Sequence, residues 1–252
     1  MTYDQHKAAF MKLVQRAAYR YDVWRVFSDF VEMAAISIAN SPTLDAGREE
    51  RYLQIMKAYE SSEAALFSQM LGHVTMAMEC EYGDVLGEAF MALELGNQHR
   101  GQFFTPYSVC RAIAGMNGDI ATRVKESGYI TVSDPAVGGG ALLIAFAEEA
   151  RRQGVNFQQH VHATGQDVDI KAVHMAYIQL SIIGLPATII HGNTLTMEQQ
   201  SRWYTPMHVL GLWRWKQRRQ GRIEPPAPAL DLGSVPPQQP AAKPVGQMEL
   251  FA

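Results

Sequence analysis

The chain has 252 residues, of which 47% are apolar and 19% are charged, with a formal net charge of −3. This composition is typical of a chain that buries a sizeable core, and it excludes wholesale disorder. Apolar runs stay well short of the roughly eighteen residues of a membrane span, and no signal-peptide core follows the N-terminus, so we expect a soluble, cytoplasmic protein. Cys80 and Cys110 predict neither a disulfide framework nor a zinc cluster.

Residues 1–98 are predicted to form a helical N-terminal domain, because apolar side chains recur there at helical spacing. We interpret these apolar stripes as packed core that binds no cofactor. The residues concerned are Phe10, Leu13, Val14 and Ala17; Val23, Phe27, Phe30 and Ala34; Tyr52, Ile55, Met56 and Tyr59; and Leu66, Met70, Val74 and Met78.

Residues 99–223 are predicted to form an α/β domain. Short β-branched segments at 129–133, 161–165 and 187–190 alternate with helical patterns, the first of them at 141–153. Such alternation predicts a parallel sheet with right-handed crossovers.

A glycine-rich motif, Asp134-Pro-Ala-Val-Gly-Gly-Gly140, follows the first predicted strand and opens a helix. Glycines there allow close approach of a ligand to the backbone, and a helix N-terminus offers free amides to an anion. A tight turn without a ligand is the alternative. Asp167 and Asp169 follow the second strand, where an acidic residue commonly holds ribose hydroxyls; Asp169 is equally suited to cap the next helix.

Four segments together resemble the adenine-specific DNA methyltransferases of the type I restriction–modification modification-subunit family. They are Gly101-Gln-Phe-Phe-Thr-Pro106, the motif that begins at Asp134, Gly165-Gln-Asp-Val-Asp169 and His191-Gly-Asn-Thr-Leu195. The resemblance covers roughly residues 84–195. It implies a Rossmann-like sheet, S-adenosylmethionine (AdoMet) as cofactor and DNA as partner.

The same resemblance implies a role for particular residues. Phe104, Thr105 and Pro106 would flank the methionine part of AdoMet, Asp167 would hold the ribose, and Val168 would also belong to the cofactor-binding residues. Asn193 stands where the family usually has Asp, near the adenine amino group, and Gly139 replaces a frequent Ser; both differences look minor. The loop under the cofactor would comprise Asp134, Pro135, Ala136, Gly138 and Gly140.

The family's catalytic Asn/Asp-Pro-Pro-Tyr/Phe tetrapeptide does not occur in the sequence. That motif accepts hydrogens from the adenine amino group and stacks on the flipped base. The weak stand-in candidates are Tyr204, Thr205 and Pro206, which follow no apolar strand. Two functions therefore stay open: methyl transfer to the amino group of DNA adenine, or a non-catalytic AdoMet- and DNA-binding protein that regulates or partners another methylase or the replication clamp.

The sequence supplies about three strands of the family's seven, which predicts an unpaired edge on the first strand. The segment 203–215, the N-terminal helices or a second subunit would cover this edge. Residues 202–222 are basic and rich in tryptophan, so DNA contact through Arg214, Lys216, Arg218 and Arg219 is one interpretation. The other is that the tryptophans pack on the sheet while the arginines stay solvated.

The segment 224–252 is predicted to be a disordered tail, because seven of the twelve prolines lie between Pro225 and Pro244. Its end, Gln247-Met-Glu-Leu-Phe251, is similar to the peptide that bacterial proteins insert into the DNA sliding clamp. Gln247, Leu250 and Phe251 would be the anchors of this contact. His160 and His162 are interpreted as ordinary strand residues, and no metal site is predicted.

Overall fold

The computed structural model describes residues 1–94 and 104–219. Seven helices precede the first strand within these ranges: α1 (Tyr3–Ala17), α2 (Val23–Asn40), α3 (Ala46–Met56), α4 (Ser61–Cys80), α5 (Val85–Glu94), α6 (Tyr107–Gly115) and α7 (Ile120–Ser127). The α/β part follows as β1 (Ile130–Asp134), α8 (Ala141–Arg152), α9 (Phe157–His160), β2 (Val161–Asp167), α10 (Ile170–Ile182), β3 (Ala187–Asn193), β4 (Glu198–Tyr204), α11 (Pro206–Leu210) and α12 (Trp213–Arg219).

The N-terminal helices form where the apolar spacing predicts them. Thr2 begins α1 with a capping box, and the side chains of Asp22 and Asp45 cap α2 and α3. One boundary differs from the prediction, because α3 ends at Met56. Tyr59 lies beyond that end, where its buried side chain donates a 2.6 Å hydrogen bond to Asp29.

The sheet has the strand order β1-β2-β3-β4. The first three strands are parallel, as the alternation of strands and helices predicts, and the fourth is antiparallel to β3. Sequence analysis missed β4 because its residues, Glu-Gln-Gln-Ser-Arg-Trp-Tyr, are mostly polar. Tyr204 is the last residue of this mostly polar strand, so it follows no apolar strand, as the sequence indicates.

The two faces of the sheet differ sharply. Val132, Ala163 and Ile189 point to an apolar face, which α8 and α10 cover. Side chains of the alternate positions, among them Thr131, Thr164 and Gln166, form a polar face. Alternation of this kind is typical of a sheet with only one face on the main core.

Helices α11 and α12 cover the amino-terminal end of the polar face. Trp213 is fully buried there, 5.1 Å from the ring of Tyr129 and 5.3 Å from that of His162. Trp203 on β4 is also buried, against His174 and Tyr177 of α10. These tryptophans are thus core residues.

The core runs without a break from the N-terminal helices into the sheet, through contacts of α10 with α2 and α5. The proposed boundary between residues 98 and 99 and the tail 224–252 lie outside the described residues and stay predictions. Among the described strands, β1 pairs only with β2, so its other edge has no strand neighbour there. Within the same ranges, no helix is long and apolar enough to cross a membrane.

Candidate cofactor site

The glycine-rich segment forms a tight loop between β1 and α8. Gly138 and Gly140 have φ angles of +51° and +98°, a region that side chains with a Cβ rarely adopt. Two backbone hydrogen bonds fix the loop: the amide of Val137 donates to Gln166 at 2.9 Å, and that of Gly140 donates to Val137 at 2.8 Å. The first bond anchors the loop to β2, and the second closes the turn before α8.

Two carboxylates at the carboxyl ends of the parallel strands hold this loop. Asp134 accepts a 3.0 Å bond from the amide of Ala136. Asp167 accepts from the amide of Gly138 at 3.0 Å with one oxygen and from that of Asp169 at 2.9 Å with the other. Burial, with Asp167 nearby, raises the pKa of Asp134. Asp169 caps α10 through the amide of Lys171, so the helix-capping interpretation of Asp169 is confirmed.

The segment before α6 lies against the same loop. The ring of Phe104 stacks on that of Phe90 at 5.2 Å, and its edge lies 3.2 Å from where a Cβ on Gly138 would stand. Thr105 is exposed, and Pro106 occupies the cap position of α6. The first part of this motif, residues 101–103, lies outside the described residues.

A buried carboxylate from the N-terminal region completes the site, and sequence analysis missed it. Asp84 is 3% exposed and accepts bonds from the amide of Gly87 at 2.8 Å and from the side chain of Gln179 at 2.7 Å. Gln179 also donates to the carbonyl of Gly139 at 2.7 Å. The only local signal is an Asp at a helix start, which by itself indicates a cap.

The Asp84 carboxylate lies beside Gly139, the position at which the family frequently has Ser. A Cβ at Gly139 would lie 2.5 Å from a carboxylate oxygen of Asp84. A side chain at this position would therefore require the Asp84 carboxylate to shift.

These elements enclose a cavity of about 180 Å³. The residues lining it include two carboxylates and no Lys, Arg or His. Ala141 and Leu142 bring the first turn of α8 to its wall, and no side chain among the described residues caps that turn. The full lining is Asp84, Phe104, Thr105, Cys110, Ile113, Asp134, Ala136, Val137, Gly138, Gly139, Ala141 and Leu142.

The other predicted cofactor residues lie at the same edge of the sheet. Asn193 ends β3, and its side-chain oxygen accepts from the amides of Leu195 and Thr196 at 2.9 and 3.4 Å. Val168 is exposed just after β2, and Pro135 accepts a 2.7 Å bond from Thr194. The structure thus brings the predicted cofactor residues together around the carboxyl ends of β1, β2 and β3.

Comparison with protein families gives a match to the N-6 DNA methylase model over residues 83–211. The chain belongs to the N-6 DNA methylase family. The matched region includes Asp84 and ends in the turn after α11. Among curated proteins, no sequence matches the chain.

Two solved structures are similar to this chain at low identity. A Listeria monocytogenes protein described as a class I S-adenosylmethionine-dependent methyltransferase is 13% identical, with a TM-score of 0.41, over 84% of this chain and 70% of its own. The methyltransferase subunit of a type I restriction-modification system from Streptococcus thermophilus is 15% identical, with a TM-score of 0.36, over 77% of this chain. The matched region is 52% of that subunit, about half its length.

The weak catalytic candidates lie away from the cavity. Thr205 is fully buried, and its hydroxyl donates to Leu185 and accepts from the amide of Ala187, both at 2.8 Å. Pro206 begins α11, and Tyr204 packs against His208. These residues meet the amino-terminal end of β3, about 20 Å along a seven-residue strand from its carboxyl end.

The basic helix α12 also lies at the amino-terminal end of the strands. Arg214, Arg218 and Arg219 are exposed, while Lys216 is half-buried above the ring of Trp213 at 4.3 Å. Trp215 is exposed, and the guanidinium carbon of Arg219 lies 4.1 Å from the centroid of its ring. Both residues line a cavity of about 630 Å³ between α9 and α12. The basic surface and the glycine loop are therefore at opposite ends of the parallel strands.

Of the two histidines predicted to be strand residues, only His162 lies in β2, whereas His160 is the last residue of α9. His160 contacts the carbonyl of Gly128 at 2.8 Å, and His162 forms a buried 2.8 Å contact with His208. Burial lowers the pKa of His162 to about 3 and that of His208 to about 4. In the part of the chain that the structure describes, no group of three His, Cys, Asp or Glu side chains could hold a metal ion.

Proposed function

We propose that this chain binds AdoMet at the glycine loop and uses it in methyl transfer to the amino group of DNA adenine. One observation carries the proposal: a cavity at the carboxyl ends of parallel strands combines an uncapped helix N-terminus with carboxylates and no basic side chain. AdoMet has matching charges, since it carries a sulfonium, an ammonium and a carboxylate group. Ligands of α/β sheets bind at this edge.

In this proposal the loop and its neighbours divide the ligand between them. The first turn of α8 takes the carboxylate of the methionine part, since free amides and the helix dipole favour an anion. Phe104, Thr105 and Pro106 flank the methionine part. Asp167 keeps lone pairs for the ribose hydroxyls, because a carboxylate offers about four acceptor positions and backbone amides occupy two.

The remaining members of the predicted set support the nucleoside. Val168 is exposed beside Asp167 and offers an apolar surface to the adenine ring. Asn193 would lie near the adenine amino group, with its side-chain oxygen, which also accepts from the amides of Leu195 and Thr196, as the acceptor. Asp134, Pro135 and Ala136 hold the loop that separates β1 from α8, with Asp134 fixing the turn through the amide of Ala136.

Bound AdoMet would supply an activated methyl group on its sulfonium. The chain's residues would orient that group and exclude water from it. The adenine amino nitrogen is a poor nucleophile, so its hydrogens need acceptors and its ring needs a stacking partner. The distance of Tyr204, Thr205 and Pro206 from the cavity argues against them in this role, and we propose that another segment or a partner chain supplies it.

A second candidate function is non-catalytic. The absence of the Asn/Asp-Pro-Pro-Tyr/Phe tetrapeptide and the far position of Tyr204 favour it. Here the chain binds AdoMet and DNA and regulates or partners another methylase, or acts at the sliding clamp through Gln247, Leu250 and Phe251, which lie outside the described residues. A partner that completes the sheet would use the free edge of β1.

The deciding experiment measures AdoMet binding and methyl transfer separately. Calorimetry of the purified chain with AdoMet tests the site, and we expect saturable binding with one ligand per chain. Incubation with labelled AdoMet and unmethylated bacterial DNA tests catalysis. Labelled N6-methyladenine from the chain alone supports the enzyme, binding without label supports the non-catalytic function or a missing partner, and no binding overturns the proposal. Both measurements are repeated with Asp167→Ala, which removes the carboxylate proposed to hold the ribose.

A further inference from the structure

Asp84 is the one carboxylate of the cavity wall that comes from the N-terminal helical region. It directly precedes α5 and is 3% exposed. Both of its hydrogen bonds, from the amide of Gly87 and the side chain of Gln179, go to the same oxygen, Oδ1. Among the described residues, no donor reaches the second oxygen, Oδ2, and Asp84 lines the cavity.

A helix cap alone does not explain this arrangement. Capping uses Oδ1, and asparagine or serine would cap α5 equally well without a buried charge. Asp84 is 3% exposed, so its carboxylate loses most of its water, and Oδ2 gains no donor in return, which costs free energy. An Asp with one satisfied and one unsatisfied oxygen, facing a cavity, is suited to a donor that arrives with a ligand.

The charges around Asp84 indicate that this ligand group is a cation. Asp134 is the other carboxylate in the lining of the cavity, and the lining holds no Lys, Arg or His to offset the two. The nearby cation Lys7 is paired with Glu88 and Asp4. Burial raises the pKa of Asp84, an effect that an incoming cation would oppose.

The opposite wall of the cavity carries the complementary partial charge. The first turn of α8 presents free amides at Ala141 and Leu142, which favour an anion. An α-amino acid carries an ammonium and a carboxylate on the same carbon atom. We infer that Asp84 binds the α-ammonium group of the methionine part of AdoMet, opposite the α-carboxylate at α8. This inference rests on the proposed function and adds to it the residue that recognises the amino-acid end.

Binding of three ligands to the wild-type chain and to Asp84→Asn tests the inference by calorimetry. AdoMet and S-adenosylhomocysteine both have the α-ammonium group, whereas 5′-methylthioadenosine lacks the whole amino-acid end. The substituted asparagine keeps an oxygen that accepts from Gly87 and Gln179, so the variant retains the bonds that hold α5. We expect Asp84→Asn to weaken AdoMet and S-adenosylhomocysteine by about tenfold or more, equally, and to leave 5′-methylthioadenosine unchanged.

Each other result overturns the inference in a distinct way. Equal loss for all three ligands assigns Asp84 a purely structural role, and loss for AdoMet alone assigns it to the sulfonium. Unchanged affinity for all three shows that Asp84 does not touch the ligand, while the proposed function stands. If the wild-type chain binds none of them, the proposed function fails as well.

Glu88→Gln is the matched control, because it removes a carboxylate one turn further along α5. Glu88 pairs with Lys7 and Tyr3 and does not line the cavity. We expect its affinities for all three ligands to stay within about threefold of the wild type. Thermal unfolding of both variants without ligand checks that each is folded.

Discussion

Asp167 at the end of β2 accepts a 3.0 Å hydrogen bond from the backbone amide of Gly138, in the loop that follows β1. The bond ties the ends of two neighbouring strands together at the point where the loop turns into α8. A carboxylate proposed to hold the ribose therefore also fixes the loop proposed to lie under the methionine part. Loss of its side chain would affect both ends of the ligand.

Asp167→Ala is expected to weaken AdoMet binding by about tenfold or more, since a charge-assisted bond contributes roughly 1.5–3 kcal/mol. Calorimetry measures the change. Asp169→Ala is the control, because Asp169 caps α10 and lies two residues away. It should lower stability by about 1 kcal/mol and leave affinity within about threefold. Wild-type affinity in Asp167→Ala would remove the ribose assignment.

Gly140→Ala is expected to destabilise the protein and to weaken AdoMet binding. At φ +98° an alanine is strained by roughly 1–2 kcal/mol, and its Cβ would lie 3.3 Å from the Cα of Ala176 on α10. Chemical denaturation and calorimetry give the two effects. Gly115→Ala at the end of α6 is the control: its Cβ meets nothing within 4 Å, so we expect unchanged or slightly higher stability. Equal stability and equal AdoMet affinity of Gly140→Ala and Gly115→Ala would contradict the role given to the loop.

Acid is expected to destabilise the fold through three buried histidines. Burial lowers the pKa of His162 to about 3 and those of His174 and His208 to about 4, against an ordinary value of 6.5. The unfolded chain therefore takes up more protons, so stability present above pH 6.5 is lost as pH falls towards 4. The slope is about 1.4 kcal/mol per pH unit for each histidine.

Thermal unfolding between about pH 7.5 and 5, followed for the wild type and His208→Gln, checks this expectation. Removing one of the titrating histidines should reduce the slope of stability against pH. A variant at His191 serves as control, since this side chain is only partly buried and already meets solvent. A wild-type stability that is flat across this interval would contradict the buried, neutral state of the pair His162–His208.

The sequence predicts the first three strands and the glycine loop because their signals are local. β-branched runs, a Gly-rich turn and an Asp after a strand need only a few neighbouring residues to be recognised. Strand β4 has no such signal: its polar residues pair with β3, and only Trp203 is buried. Pairing with a strand that is already placed, rather than its own composition, makes this segment a strand.

Asp84 could not be recognised as a site residue for a related reason. Fifty residues separate it from Asp134, and only packing of α5 against α10 brings it to the glycine loop. The bond from Gln179, in the second half of α10, depends on the same packing. A sequence pattern registers the cap at the start of α5, but not the cavity that the cap faces.

The basic helix α12 is expected to contribute to DNA binding through phosphate contacts. Replacing Arg214, Arg218 and Arg219 together by Ala should weaken binding to duplex DNA and reduce its salt dependence by up to about 0.9 for each phosphate that these arginines neutralise. Filter binding or anisotropy at several salt concentrations measures both. Lys12→Ala with Lys57→Ala, two exposed lysines of the N-terminal region, is the control. An unchanged salt slope in the α12 variant would show that its arginines are only solvated.

The C-terminal peptide is expected to bind the bacterial sliding clamp, a prediction that concerns residues outside the described ranges. Its Leu-Phe pair would enter an apolar pocket, and Gln247 would serve as the polar anchor. Leu250→Ala with Phe251→Ala should abolish retention of purified clamp on the immobilised full chain. Glu249→Ala, which changes a residue between the anchors Gln247 and Leu250, should retain the clamp as the wild type does. If the wild-type chain does not retain the clamp, the similarity of the peptide carries no function.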